Sequence, residues 1–228
     1  MKGEIREARG KWKRGVRDGC KVEKSGEKGG CVAVVVELLP NEEALVRELC
    51  RRLKQREARR ILDVGCGTGK LALFIAEMLR EQKEGCVVVG IDTDTTKVKK
   101  ARERALSMKF VSFEVQSATQ TRFKDGSFDA VVSLKALHEI SDAYAALREA
   151  FRVLRSGGSI FIIDWVRCHA TESHAHFPLY FTKESMRDAL INAGFEDVSI
   201  EKSESGGLML ASGLKRKEVR SEKGMRRA

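Results

Sequence analysis

No stretch of this chain approaches the roughly 20 consecutive apolar residues that a membrane-spanning helix needs. The first residues are charged and lack the apolar core of a secretory signal, so a cytoplasmic protein that keeps away from membranes is the expectation. Cysteine is present but unpatterned. Its six copies (Cys20, Cys31, Cys50, Cys66, Cys86 and Cys168) include no C-x-x-C pair and no regular spacing. That argues against a zinc ribbon or a disulfide framework and for scattered, reduced thiols. Proline is scarcer still, with Pro40 and Pro178 alone. Internal repeats and low-complexity blocks are missing as well.

Charge is plentiful but unevenly placed. The net charge is +10. Residues 1–30 carry ten Lys/Arg against five Asp/Glu, and residues 214–228 carry seven against two. The stretch between them is neutral. The basicity therefore belongs to the ends, which read as solvated extensions with nucleic-acid attraction as the alternative. The organisation expected is a basic N-terminal extension over 1–40, a folded domain over 41–213 and a basic tail over 214–228.

Within the domain, apolar runs alternate with amphipathic stretches. Cys31–Leu39 reads as an added edge strand or the end of an arm, stopped by Pro40. Asn41 then caps a helix over 42–57, with Glu42 and Glu43 in its first turn and Leu45, Leu49 and Leu53 on one stripe. Strands are expected at 61–64, 86–91, 110–115, 128–134 and 160–163, with helices at 71–80, 96–106 and 142–154 between them. Ser156-Gly157-Gly158 reads as the turn that closes the last of these helices. Thr182 caps one more helix. Strands at 198–200 and 208–211 follow with no helix between them. This is an α/β protein: a Rossmann-like, open seven-stranded sheet, mostly parallel, with helices on both faces and a C-terminal antiparallel hairpin.

The chemistry gathers at Asp63-Val-Gly65-Cys-Gly67-Thr-Gly69-Lys70. A strand that breaks into glycines and restarts as a helix lets backbone touch a ligand at a helix N-terminus. A phosphate-binding P-loop is excluded, because only three residues separate Gly65 from Gly69-Lys70 and Leu71 stands where Ser or Thr is needed. A dinucleotide-binding oxidoreductase stays open, since Gly67-x-Gly69-x-x-Ala72 fits that fingerprint and an acidic Asp92 ends the next strand.

Asp63-x-Gly65-x-Gly67-x-Gly69 also resembles the signature of the class I S-adenosylmethionine-dependent methyltransferases. Phe123-Lys-Asp-Gly-Ser-Phe-Asp129 and Leu154-Arg-Ser-Gly-Gly-Ser are similar to that family's approaches to its fourth and fifth strands, and the closing hairpin is also shared. The resemblance covers about 41–213 and is nearest to small-molecule enzymes of the ubiquinone/menaquinone-biosynthesis type. It implies S-adenosyl-L-methionine as cofactor. Gly65, Gly67 and Gly69 then approach that cofactor through backbone, and Asp63 fixes the turn and helps to hold the methionine ammonium. Asp92, followed by Thr93, takes the ribose hydroxyls. Ser117 and Ala118 stand where many relatives place Asp-Ala against adenine, and Leu134 ends the fourth strand beside the cofactor. A hydroxyl at Ser117 accepts a hydrogen bond without the charge of an aspartate.

The acceptor is less constrained. Ser133-Leu-Lys-Ala after the fourth strand is not the Asn/Asp-Pro-Pro-aromatic motif of enzymes that methylate exocyclic or amide nitrogens, and no Pro-Cys or Thr-Cys dipeptide marks a cytosine-C5 enzyme. A small-molecule methyl acceptor is the expectation, with RNA or protein recruited through the basic ends as the alternative. His138, in a segment similar to the Leu-His-His type, is the candidate general base because imidazole titrates near neutrality. His169, His174 and His176 follow the fifth strand, but no carboxylate–histidine spacing on a regular element supports a metal there, and none is expected.

Overall fold

The computed structural model describes residues 38–80, 85–167 and 180–216. The basic ends, nearly all of the 31–39 run and the loop holding Cys168, His169, His174 and His176 lie outside the described residues.

Seven strands form one sheet: β1 (Arg60–Val64), β2 (Val87–Asp92), β3 (Val111–Val115), β4 (Phe128–Leu134), β5 (Leu154–Trp165), β6 (Glu196–Lys202) and β7 (Leu208–Leu214). Their spatial order is β3-β2-β1-β4-β5-β7-β6. The first five pair in parallel, and β7 runs antiparallel to both β5 and β6. The hairpin expected from 198–200 and 208–211 is present, with longer strands.

Among the described residues five helices cover the sheet: α1 (Pro40–Gln55), α2 (Lys70–Met78), α3 (Thr95–Arg104), α4 (Ala143–Val153) and α5 (Lys183–Asn192). Adjacent strand residues point to opposite faces, and that splits the core in two. Ile61, Val88, Phe161 and Leu210 pack with Leu45, Leu49 and Leu53 of α1, Leu73 of α2 and Val98 of α3. Their neighbours Leu62, Val89, Ile162 and Met209 pack with Leu147 of α4 and Met186 and Leu190 of α5. Each large apolar side chain so buried contributes about 1.5–3 kcal/mol relative to exposure. No helix among the described residues is long and apolar enough to cross a membrane.

Two local expectations are corrected. The N-cap of α1 is Leu39, not Asn41; Pro40 opens the helix, and Glu42 Oε1 accepts the Leu39 N–H at 3.0 Å. Proline suits that first position because its missing N–H has no intrahelical partner. Ser156-Gly157-Gly158 is not a helix-closing turn. The chain is extended from Leu154, which pairs with Phe128 across a bulge, so β5 runs for twelve residues. Gly158 is needed there because a Cβ would stand 2.9 Å from Arg155 O and 3.0 Å from Asp129 O.

β1 and β4 are neighbours although two strands separate them in sequence, so the crossovers leave the sheet in opposite directions from this pair. In open α/β sheets the crevice beyond the carboxyl ends of such strands takes ligands.

Candidate functional site

A cleft of about 930 Å³ opens at that crevice. It is lined by the glycine turn, the end of β2, residues 116–119 after β3, and residues 134–136 and 139–141 after β4. Asp63, Gly65, Gly67, Asp92, Thr93, Ser117, Ala118 and Leu134 all face it. Gly69 and His138 do not line it.

The three glycines do different work. Gly65 (φ +69) passes so close to Ala136 that an added Cβ would sit 2.3 Å from the Ala136 Cβ. Gly69 (φ +84) is the N-cap of α2, and a Cβ there would meet the Phe113 ring at 2.7 Å. Gly67 (φ +53) has nothing within 4 Å of the position a Cβ would take. Gly65 and Gly69 are packing glycines. Gly67 lines the cleft with open space where a side chain would stand.

Asp63 is buried at 1% exposure, and its Oδ2 accepts the Ala72 N–H at 3.1 Å, which fixes the turn to the start of α2. Its Oδ1 is buried without a hydrogen-bond partner among the described residues. Burial pushes this carboxyl up to about 8; the Ala72 bond opposes the shift and nearby Asp92 adds to it. Burial likewise pushes the Cys66 thiol up, with Asp63 and Asp92 contributing. Asp92 is held by backbone: Oδ2 accepts the Gly67 N–H and Oδ1 the Asp94 N–H, both at 2.9 Å. A carboxylate has about four acceptor sites, so lone pairs remain for a diol. The Ser117 hydroxyl is engaged with Thr119, at 2.8 Å from its Oγ1, and accepts its N–H at 3.2 Å.

Beyond β4 the chain turns sharply. Lys135 (φ 52) precedes a short 3-10 turn, Leu137–Glu139, which the sequence reading did not anticipate. His138 on this turn is anchored to Asp164 near the end of β5. Its Nδ1 lies 2.6 Å from Asp164 Oδ1, and its backbone N–H donates to Asp164 Oδ2 at 3.1 Å. Asp164 is 1% exposed, and the Tyr180 ring lies 4.9 Å from the imidazole.

Several residues with a part in the site carried no sequence signal of their own. Glu42 is fully buried and ion-paired with Lys70 and Lys135. Burial opposes its ionisation, but the bonds from Lys135, Lys70 and the Leu39 N–H outweigh that and hold its carboxyl below the usual range. Arg104, from the last turn of α3, donates through Nη1 to Thr68 O at 2.7 Å and Thr68 Oγ1 at 2.8 Å. That clasps the tip of the glycine turn. Replacing Arg104 with Met is expected to raise the S-adenosylhomocysteine Kd about tenfold by calorimetry, since hydrogen bonds from a charged donor contribute about 1.5–3 kcal/mol. An unchanged Kd would show that the turn holds its own shape.

A family model described as a methyltransferase domain matches residues 55–212, more than half of the chain. The chain belongs to this methyltransferase family. S-Adenosylmethionine is the family's cofactor, and the cleft fits it. The unpartnered Asp63 oxygen offers an acceptor for an ammonium, and the space at Gly67 admits a ligand against backbone. Phosphoethanolamine N-methyltransferase 1 of Arabidopsis thaliana is 32% identical over 164 residues, 68% of this chain and 32% of that protein. The 27-O-demethylrifamycin SV methyltransferase of Amycolatopsis mediterranei (strain S699) is 34% identical over 131 residues, covering 55% of this chain and 46% of that one. The methyltransferase domain thus spans about a third of the plant relative and under half of the bacterial one. Solved structures agree on the fold. The 4+2 cyclase SpnF superposes with a TM-score of 0.66 at 22% identity, covering 76% of this chain and 81% of that one. A SAM-dependent methyltransferase from Aquifex aeolicus gives 0.61 at 19% identity, with 78% and 100% covered. Among the described residues of the domain, no group of three His, Cys, Asp or Glu is placed to hold a metal.

Proposed function

We propose that residues 41–213 form a catalytic domain that transfers the methyl group of S-adenosylmethionine to a small-molecule acceptor. The observation that carries this reading is the buried Asp63 carboxyl, which presents an unpartnered oxygen at a cleft walled by the glycine turn. Small-molecule acceptors fit the names of the relatives, phosphoethanolamine and 27-O-demethylrifamycin SV among them. A cytoplasmic setting fits the buried free thiols of Cys50, Cys66 and Cys86.

The bound cofactor supplies an electrophilic methyl group on a sulfonium, so the protein's work is to bind, orient and move a proton. In this reading Asp63 accepts the cofactor's ammonium and Asp92 its ribose hydroxyls, while Gly67 lets the ligand lie against backbone. His138 acts on the acceptor. Asp164, as a carboxylate, only accepts hydrogen bonds, so the Nδ1 that faces it carries the proton and Nε2 is left with a lone pair. That nitrogen takes the proton that an acceptor hydroxyl loses as its methyl bond forms, or that an acceptor ammonium gives up to become the attacking amine. Asp164 keeps the ring in this tautomer and orientation.

Calorimetry with S-adenosylmethionine, S-adenosylhomocysteine and NAD tests the cofactor half: binding of the sulfur ligands is the expected result, and binding of NAD alone overturns the reading. For the acceptor half, labelled methyl transfer into metabolite fractions identifies a substrate. His138→Ala is then expected to lower kcat by about 10²–10⁴-fold, the usual worth of a positioned general base, with S-adenosylhomocysteine affinity unchanged. Full turnover by the variant would remove His138 from the mechanism.

A further inference from the structure

Residues 31–213 carry no net charge, yet their cations are not evenly matched. On α1 the arginines have acids one turn away: Arg47 pairs with Glu43, and Arg51 and Arg52 pair with Glu48. α3 and the turn after it are built otherwise. Residues 95–110 contain Lys97, Lys99, Lys100, Arg102, Arg104 and Lys109 against Glu103 as the lone acid. The four lysines are exposed, and none is ion-paired among the described residues. Asp94, the cap of α3, attracts Lys97 and Lys100 at longer range. Arg104 is committed to Thr68, and Arg102 donates through Nε to Phe113 O at 2.8 Å. Lys97 and Lys100, Lys99 and Arg102, and Lys100 and Arg104 stand three or four positions apart, where like charges destabilise a helix. Packing does not require them, since the buried residues of α3 are Val98 and Ala101.

The same corner exposes apolar side chains. Leu106, one turn beyond Arg102, is 87% exposed, and Phe110 is 59% exposed. The turn between them is held by the Met108 N–H bond to Ala105 O at 2.8 Å. Phe110 O accepts the Val88 N–H at 2.9 Å, which puts this residue beside half-exposed Val87 at the start of β2. β3 follows at the edge of the sheet, so no further strand of the sheet covers the corner. A single exposed leucine is ordinary. Here three apolar side chains adjoin lysines that have no acid to pair with.

We propose that α3 and the turn to Phe110 dock the protein peripherally on an anionic phospholipid surface. The four lysines meet the headgroups, and Leu106 and Phe110 enter the acyl boundary. Stable attachment takes two signals, and a basic patch with an apolar tip supplies both. The tip separates this partner from the other polyanion, RNA, which is held by cations and by stacking on aromatic rings. Leu106 and Val87 have no π-face to stack on. The basic ends attract any polyanion and so do not decide between them. Docking of this kind reverses the expectation of a protein that keeps away from membranes. It does not depend on the methyl-transfer reading. Lys97 and Lys100 also line the cleft, so the docked protein holds the α3 rim of the cleft at the surface.

The test is sedimentation of the full chain with vesicles of phosphatidylcholine alone, or of phosphatidylcholine and phosphatidylglycerol in equal parts. Binding is expected to the mixed vesicles only, and to weaken as salt rises. Lys99→Gln and Lys109→Gln are each expected to weaken it about fivefold, because one lysine near an anionic leaflet is worth about 1 kcal/mol. Leu106→Ser is expected to weaken it about tenfold at low and high salt alike, since apolar insertion is not screened. These three side chains are exposed and do not line the cleft, so melting temperature and S-adenosylhomocysteine affinity are expected to stay unchanged. Vesicle binding that survives all three substitutions belongs to the basic ends and overturns the proposal. Sensitivity to the lysines but not to Leu106 leaves an electrostatic contact without insertion, and overturns it too. Absence of vesicle binding also sinks it. If single-stranded RNA then binds in a Lys99-dependent manner, the partner is a nucleic acid instead.

Discussion

S-Adenosylhomocysteine is expected to bind this protein more tightly as the pH rises, by roughly thirtyfold between about pH 6 and about pH 7.5. The cause is Asp63, whose carboxyl is pushed up to about 8 by burial. Below that pH the ligand-free protein holds a neutral carboxylic acid. Pairing with an ammonium requires the carboxylate, so binding expels one proton, and affinity changes about tenfold per pH unit until the group is ionised on its own. Asp92 on β2 is the charged neighbour that adds to the cost of a negative charge on Asp63. Asp63→Asn keeps an acceptor for the Ala72 N–H but carries no charge. The variant is expected to bind weakly and with a flat pH profile. A wild-type profile that is equally flat would show that Asp63 is ionised before the ligand arrives.

The same group acts oppositely on the ligand-free fold. Its folded-state value lies above the ordinary aspartate value of 3.8, so the native chain holds the proton more tightly than the unfolded one. The stabilisation is fully present below about pH 4 and is lost as the pH climbs through about 8. Ligand-free melting temperature thus has a falling component across the window in which ligand affinity rises. Thermal scans with and without S-adenosylhomocysteine should diverge with pH.

Gly65→Ala and Gly67→Ala are expected to fail in different ways. At Gly65 the new Cβ would meet the Ala136 Cβ at 2.3 Å with φ at +69, so clash and strain combine. A loss of about 2–4 kcal/mol is expected from overpacking plus a left-handed residue, enough to lower the melting temperature by several degrees. At Gly67 the backbone strain is similar (φ +53), but no atom stands in the way. That variant is expected to lose only about 1 kcal/mol of stability. Its methyl group enters the cleft, so its principal loss is in S-adenosylhomocysteine affinity, by tenfold or more, as buried overpacking costs about 1–3 kcal/mol. Equal destabilisation of the two variants would show that the glycines are interchangeable turn formers.

That contrast marks what the sequence could convey. Three alternate glycines announce a turn, yet their side-chain-free positions are filled by Ala136, by Phe113 and by nothing, and those partners come from distant parts of the chain. The buried strands β1, β2 and β4 were legible because both faces are covered, which writes them as continuous apolar runs. β5 was legible only over 160–163, a third of its length. Its first residues, Leu154 to Gly158, have the composition of a turn but are pulled into the sheet by pairing with Phe128 and by the close passage of Asp129. Asp63 and Asp92, singled out where local motif and strand end coincide, both line the cleft. Pairings across sequence were not legible. Nothing near His138 points to Asp164, 26 residues on. Glu42 looked like an acid favouring a helix N-terminus, a solvated role, whereas the fold buries it between two lysines.

The position of β1 beside β4 divides responsibility for the reaction between two parts of the chain. Residues proposed to hold the cofactor come almost entirely from the β1–β3 side, and those proposed to meet the acceptor from the ends of β4 and β5. A change of acceptor can therefore be engineered at the ends of β4 and β5 while the residues proposed to hold the cofactor stay as they are.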